Sequence, residues 1–315
     1  MFRRLVLIVL CSFLPALALA QPPNDADIVL DTPTGKLAGS LLLPAAEGQL
    51  PVALIVAGSG PTDRDGNSNM LPGRNDSLRM LAGALAARGI ASVRFDKRGI
   101  GASAAAMQSE SMLRFETYID DAAGWIARLK ADPRFSRVTV IGHSEGSLIG
   151  MVAARQAGAA AFVSIAGPGA PLQTVLRRQL AGKLPPALNE ENERILGLLE
   201  RGQVAGEVSP MRAALYRPSV QPYLISQFRY VPAECIAALA IPVLIVQGTT
   251  DIQVAVEDAQ ALKAAYPAAR LEIVEGMNHV LKLVPPGPAQ LPSYGDPALP
   301  LAPGLVAAVT AFLTR

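Results

Sequence analysis

From residue 36 to residue 274 the chain alternates short β-rich runs with longer stretches of helical period. The runs are 36–43 (KLAGSLLL), 52–57 (VALIVA), 91–95 (ASVRF), 137–141 (RVTVI), 161–166 (AFVSIA), 242–247 (PVLIVQ) and 270–274 (RLEIV). A strand with one wet face alternates apolar and polar residues. A continuously apolar strand has to be covered on both faces. Between the runs, 76–88, 117–130, 146–157, 254–265 and a last segment near 304–314 read as helices. In the first of these, Leu78, Leu81 and Leu85 share one face. Buried strands joined through helices imply an α/β fold, with a mostly parallel sheet flanked by helices. The length of 315 residues, half of them hydrophobic and only 17% charged, gives that architecture enough core and rules out disorder.

The rhythm breaks at 168–240. This segment carries seven prolines, Pro171, Pro185, Pro186, Pro210, Pro218, Pro222 and Pro232, besides Pro168 at its start. Between them lie helix-like patches, the clearest at 189–201, with Ile195, Leu198 and Leu199 on one face and Glu190 four residues before Arg194. It reads as a mainly helical insertion dividing a core made of 21–167 and 241–315.

Residues 1–20 stand apart. Arg3 and Arg4 precede an apolar stretch from Leu5 to Leu19, and Ala18-Leu19-Ala20 has the small-x-small form of a cleavage site. As a helix, Leu5 to Ala20 would rise roughly 24 Å, short of the ~30 Å hydrocarbon core. A secretory signal cut after Ala20 is therefore expected rather than a retained anchor, which makes the mature protein secreted or periplasmic with no stable membrane anchor. Removing the two arginines leaves 26 basic and 26 acidic residues. A balanced surface argues against a nucleic-acid partner or an electrostatically held membrane partner. Cys235 is the one cysteine left, so no internal disulfide can form. His143 and His279 are the only histidines and there is no CxxC, so a zinc site built on several histidines is excluded and no metal or cofactor is expected.

The chemistry concentrates at Gly142-His143-Ser144-Glu145-Gly146. A strand runs into it and a helix leaves it, the context in which G-x-S-x-G has mechanical meaning. The turn exposes Ser144 at the carboxyl edge of the sheet in a strained conformation. Glycine suits the positions two before and two after it, where a Cβ would collide. The Glu145 N–H, at a helix start, can face an oxyanion. A serine nucleophile needs a base. His143 is adjacent, but its side chain diverges on such a turn and suits packing, so His279 in EGMNHVLK is the candidate base; its plainer role is a polar loop residue. Asp251, ending PVLIVQGTTD, is the candidate orienting acid, with helix capping as its plainer role. The order Ser144, Asp251, His279 is that of an α/β-hydrolase rather than of the chymotrypsin or subtilisin type. A second oxyanion donor is expected from 55–66 (IVAGSGPTDRDG), from Ser59 N–H first or Gly60 N–H second. Asp63 and Arg64 suit a charged pair that holds this loop. GIGASA (99–104) fits a dinucleotide fingerprint but lies in a middle unit with no strong apolar helix after it, which counts against nucleotide binding.

GHSEG, FDKRGIGAS (95–103), PVLIVQGTTD and GMNH together resemble the α/β-hydrolase superfamily, closest to the bacterial serine hydrolases of the serine aminopeptidase S33-like and carboxylesterase group. The resemblance covers nearly all of the mature chain. It implies that 168–240 is a cap over the active site. Many relatives have His-Gly where this chain has Ala57-Gly58. The expected function is hydrolysis of a small-molecule carboxylic ester through an acyl-enzyme. An S33-type aminopeptidase or amidase, or a non-catalytic binding protein on the same fold, are the other readings. Glu191, near the apolar stripe of its helix, is the acid best placed to meet a substrate ammonium. The Pro-rich stretch 284–304 could line the pocket mouth through Tyr294 or Asp296, or be a surface excursion.

Overall fold

A computed structural model describes residues 25–287 and 290–314. The expected signal at 1–20 lies outside them. Eight strands form one sheet: β1 Asp25–Thr32, β2 Gly35–Leu42, β3 Leu50–Val56, β4 Ala91–Phe95, β5 Phe135–His143, β6 Ala161–Ile165, β7 Val243–Gly248 and β8 Arg270–Val274. Their spatial order is β1-β2-β4-β3-β5-β6-β7-β8. Strands β3 to β8 pair in parallel, while β1 and β2 form an antiparallel hairpin whose second strand pairs antiparallel with β4. Helices α1 Ser77–Ala86, α2 Phe115–Ala131 and α3 Glu145–Ala157 connect the first half of the sheet. Five helices lie between β6 and β7: α4 Leu172–Leu180, α5 Pro186–Glu200, α6 Ala213–Tyr216, α7 Gln221–Gln227 and α8 Pro232–Ala237. The chain closes with α9 Val256–Ala265, a short α10 Gln290–Ser293 and α11 Pro303–Leu313.

The side-chain period of two explains the continuous apolar strands. In β3, Val52, Leu54 and Val56 enter one core while Ala53 and Ile55 enter the other. In β7, Val243 and Ile245 face one way, Leu244 and Val246 the other. Helices α2, α3 and α9 cover the first face, and α1 and α11 the second.

Two details depart from expectation. Strand β1 has no counterpart among the β-rich runs of the sequence. It is an edge strand with Asp25, Asp27 and Asp31 exposed, so it carries no buried run to read. In α5 the buried residues are Asn192, Ile195, Leu196 and Leu199, and Leu198 is only half-buried. The helix packs more toward Leu196 than a stripe through Leu198 requires.

Candidate active site

The parallel strands end at one edge of the sheet, where open α/β sheets hold their ligands. Ser144 follows β5, Asp251 lies three residues beyond β7, and His279 five beyond β8. Ser144 has φ 54° and ψ −124°. A serine held there stores strain of about 1–3 kcal/mol. The surroundings enforce it: Ser144 N–H donates to the Ile165 carbonyl at 2.9 Å, and Ser147 N–H to the Ser144 carbonyl at 2.9 Å. A Cβ on Gly142 would stand 2.3 Å from the Gly146 carbonyl oxygen, and one on Gly146 2.3 Å from that of Val56. Glycine at both positions lets β5, α3 and β3 close on one another.

Asp251 and His279 meet because the loops after β7 and β8 are joined: Thr249 N–H donates to the Val274 carbonyl and Thr250 N–H to that of Met277. His279 Nδ1 lies 2.8 Å from Asp251 Oδ2. A carboxylate only accepts, so Nδ1 carries a proton, and in the neutral ring the lone pair is then on Nε2. Asp251 Oδ1 also accepts from the N–H groups of Gln253, at 2.8 Å, and Val254, at 3.0 Å. Burial pushes the Asp251 carboxyl up, but His279 and these backbone donors outweigh it and leave it below the ordinary carboxylate range.

His143 packs beside His279, with ring centroids 4.9 Å apart. Its Nε2 donates to the His279 carbonyl at 2.8 Å, tying the base's loop to the residue next to Ser144. Burial first, and then His279, hold the His143 pKa down to about 4. It is thus a neutral positioning residue.

A cavity of about 370 Å³ opens at Ser144. Ser59, Gly60 and Glu145 lie on its wall beside Ser144, and Leu172, Val175 and Leu176 of α4 with Val220, Leu224 and Gln227 enclose it from the other side. The Glu145 N–H is a first-turn amide with no acceptor inside its helix. Ser59 N–H has no acceptor among the described residues, and Gly60 turns the chain with φ 67°. Glu145 is the sole acid on the described wall, and its carboxylate lies 3.5 Å from the Lys97 amine. A larger space of about 440 Å³ sits away from Ser144, near the β1–β2 turn and α2, where Arg98 is bonded to Asp121.

The remaining expected residues serve structure. Arg64 pairs with Asp96 at 2.8 Å rather than with Asp63, and Asp63 accepts from the N–H groups of its own loop, Asp65 and Asn67. In GIGASA, Gly101 approaches Asp96 so closely that a Cβ would meet its carboxylate at 2.5 Å, and residues 101–106 form a 3₁₀ turn. Glu191 accepts from Ser209 N–H and Ser209 Oγ, both at 2.7 Å, outside the cavity wall. Asp296 accepts from Ala298 N–H, and Tyr294 is buried near Gln253 and Asp251. Through Gly295, the Pro-rich stretch packs on Pro72 and Gly73 and braces the loop after β3. Among the described residues, no group of three or more His, Cys, Asp or Glu side chains could hold a metal ion, and no helix is long and apolar enough to cross a membrane.

This strand order, with a strained serine after the fifth strand and an Asp–His pair after the seventh and eighth, defines an α/β-hydrolase. The sequence profile described as serine aminopeptidase, S33 matches residues 73–283, and the chain belongs to that family of hydrolases. It is 28% identical over 254 residues to esterase EstD of Thermotoga maritima, an alignment that takes in 80% of this chain and 59% of the relative. The chain thus spans well under two thirds of that protein's length. Among solved structures it resembles Est1E from Butyrivibrio proteoclasticus, with a TM-score of 0.61 at 18% identity over 91% of this chain and 97% of the other. It also resembles an esterase domain from a Rhodothermus marinus protein, with a TM-score of 0.56 at 18% identity over 92% and 98%. At such identities these likenesses speak for the fold alone.

Proposed function

We propose that the protein is a serine carboxylesterase acting through an acyl-enzyme. Ser144 Oγ attacks the ester carbonyl while His279 Nε2 takes its proton. Asp251 holds the productive tautomer and the imidazolium that forms. The N–H groups of Glu145 and Ser59 receive the oxyanion. The imidazolium then protonates the departing alcohol, and water repeats the sequence to release the acid. Helices between β6 and β7 serve as the cap, and the apolar side chains of α4 accept the acyl or alcohol group.

The Asp251–His279 hydrogen bond, after β7 and β8 at the sheet edge where the strained Ser144 follows β5, carries this reading. The wall's acid content favours an ester over an aminopeptide substrate. A buried substrate ammonium would need a free carboxylate, whereas Glu145 is already paired and Glu191 is engaged with Ser209. The similarity to esterase EstD agrees with this. The test is labelling of wild type and Ser144→Ala by a fluorophosphonate, followed by turnover of short acyl p-nitrophenyl esters and aminoacyl anilides. Labelling that persists in Ser144→Ala sinks the nucleophile assignment. Anilide turnover as fast as ester turnover sinks the ester preference. The same reading takes residues 1–20 as a cleaved leader. A mature amino terminus other than Gln21 counts against that cleavage site.

A further inference from the structure

The catalytic steps leave Lys97 without a task, yet its side chain is placed at the centre of the oxyanion loop's contacts. It follows Asp96 just beyond β4 and is 1% exposed. A buried ammonium is unfavourable unless it is paired and hydrogen-bonded. Three groups meet it: the Gly58 carbonyl oxygen, to which Nζ donates, the Glu145 carboxylate at 3.5 Å, and the Tyr118 ring, whose centroid is 5.1 Å away. The first belongs to the peptide that carries the Ser59 N–H, and the second to the residue that supplies the other oxyanion donor.

The geometry of the peptide bond makes that consequential. The described chain has no cis peptide, so the carbonyl of Gly58 and the N–H of Ser59 point to opposite sides of one peptide unit. Drawing the carbonyl onto Lys97 turns the Ser59 N–H the other way, away from Lys97 and open to a ligand in the cavity whose wall includes Ser59 and Ser144. Among the described residues, this peptide has no other hydrogen-bond partner. Gly58 lacks a Cβ because one would stand 3.1 Å from that of Ser144, and Gly60 follows with positive φ. A flip of the Gly58–Ser59 peptide would present a carbonyl oxygen, not an N–H, to the developing oxyanion.

We propose that Lys97 is a positioning residue that locks the Gly58–Ser59 peptide in the oxyanion-binding orientation, with the Glu145 carboxylate as its anchor. Glu145 then serves twice: its backbone N–H is one donor, and its side chain secures the lysine that orients the other. The proposal rests on the Ser144 hydrolase reading, whose own failure would appear as turnover or labelling that survives Ser144→Ala.

The experiment compares wild type, Lys97→Arg, Lys97→Met and the double variant Lys97→Met/Glu145→Gln. The double variant removes both charges, so no unpaired ion is left buried. Ester kcat is expressed per site titrated with a fluorophosphonate, and inhibition by an alkyl trifluoromethyl ketone is measured in parallel, since its hemiketal anion needs the same donors. Removing an oxyanion donor outright lowers kcat about 10²–10³-fold, so losing its alignment should lower kcat about 10–100-fold in both Met variants. KM should change little, ketone inhibition should weaken by the same factor, and Lys97→Arg should recover part of the loss. A purely structural role would reduce the number of titratable sites but not kcat per site, and that result overturns the proposal. Should neither Met variant fold, a crystal structure of the phosphonylated wild type decides. The phosphoryl oxygen is expected on Ser59 and Glu145 N–H with Lys97 still on the Gly58 carbonyl. An oxygen held by Gly60 N–H, or a Gly58 carbonyl free of Lys97, overturns it.

Discussion

Replacing Asp251 by asparagine changes one atom and reverses the logic of the base. Oδ1 of Asp251 accepts two backbone N–H groups, from Gln253 and Val254, and backbone donors cannot be turned round. The amide oxygen of the substituted side chain must therefore occupy that position, and its NH₂ falls where Oδ2 was, against His279 Nδ1 and Gln247 Nε2. Gln247 can answer by rotating its amide, since its Oε1 has no partner among the described residues, but that forfeits its 2.9 Å bond to the Val254 carbonyl. His279 can answer only by moving its proton from Nδ1 to Nε2, the nitrogen that accepts from Ser144 in the proposed mechanism. Regaining the productive tautomer sets donor against donor in a buried place. It forfeits a hydrogen bond to a charged group and strands a donor, together about 3–6 kcal/mol. This corresponds to a loss of about 10²–10⁴ in kcat. The assay is p-nitrophenyl butyrate hydrolysis per titrated site, with thermal unfolding as a check on folding. An Asp251→Asn protein that folds and stays within tenfold of wild type would refute the orienting role of Asp251.

Gly146→Ala should destabilise by more than the ~1–3 kcal/mol usual for overpacking, because its Cβ meets the Val56 and Ala57 carbonyls at 2.3 and 2.6 Å, both backbone; urea unfolding unchanged from wild type contradicts this packing. His143 gives a pH signature. Its depressed pKa means that the fold favours the neutral ring, so its stabilising contribution is complete above about pH 6.5 and is lost as pH falls toward about 4. The whole contribution amounts to about 3 kcal/mol; urea unfolding of His143→Gln should therefore fall less steeply than wild type between those pH values, and parallel slopes would remove His143 from the account. Glu191→Gln should leave ester turnover within about threefold of wild type, in keeping with the small effect of substitutions away from buried features, since Glu191 serves Ser209 outside the cavity. Aminoacyl anilide cleavage that disappears in this variant would reopen the aminopeptidase reading.

The parts of the structure written in contiguous residues were the readable ones. Strands β3, β5, β6 and β7 announce themselves because burial on both faces demands unbroken apolar runs, and α1 and α2 because one buried face imposes a helical period. The edge strand β1, with its exposed aspartates, carries neither signal. The face that α5 buries is legible only in outline, since which of Leu196 and Leu198 turns inward depends on what the helix packs against. The loop pairing of Arg64 goes to Asp96 beyond the next strand, which no spacing within DRDG could reveal.

The sequence alone determined that a serine would stand between a buried strand and a helix, with glycines at the two positions that must close together. It also determined that one aspartate and one histidine would follow later strands in that order. These outcomes depend on sterics and hydrogen bonds between near neighbours, which local residue types control. Only the tertiary structure decided that β4 and β5 flank β3 at the same edge. That adjacency puts Lys97 from one loop on Gly58 of a second and Glu145 of a third. It also makes His143 the neutral partner of His279. Such contacts join residues remote in sequence, and their strength comes from burial that exists only after the sheet has assembled.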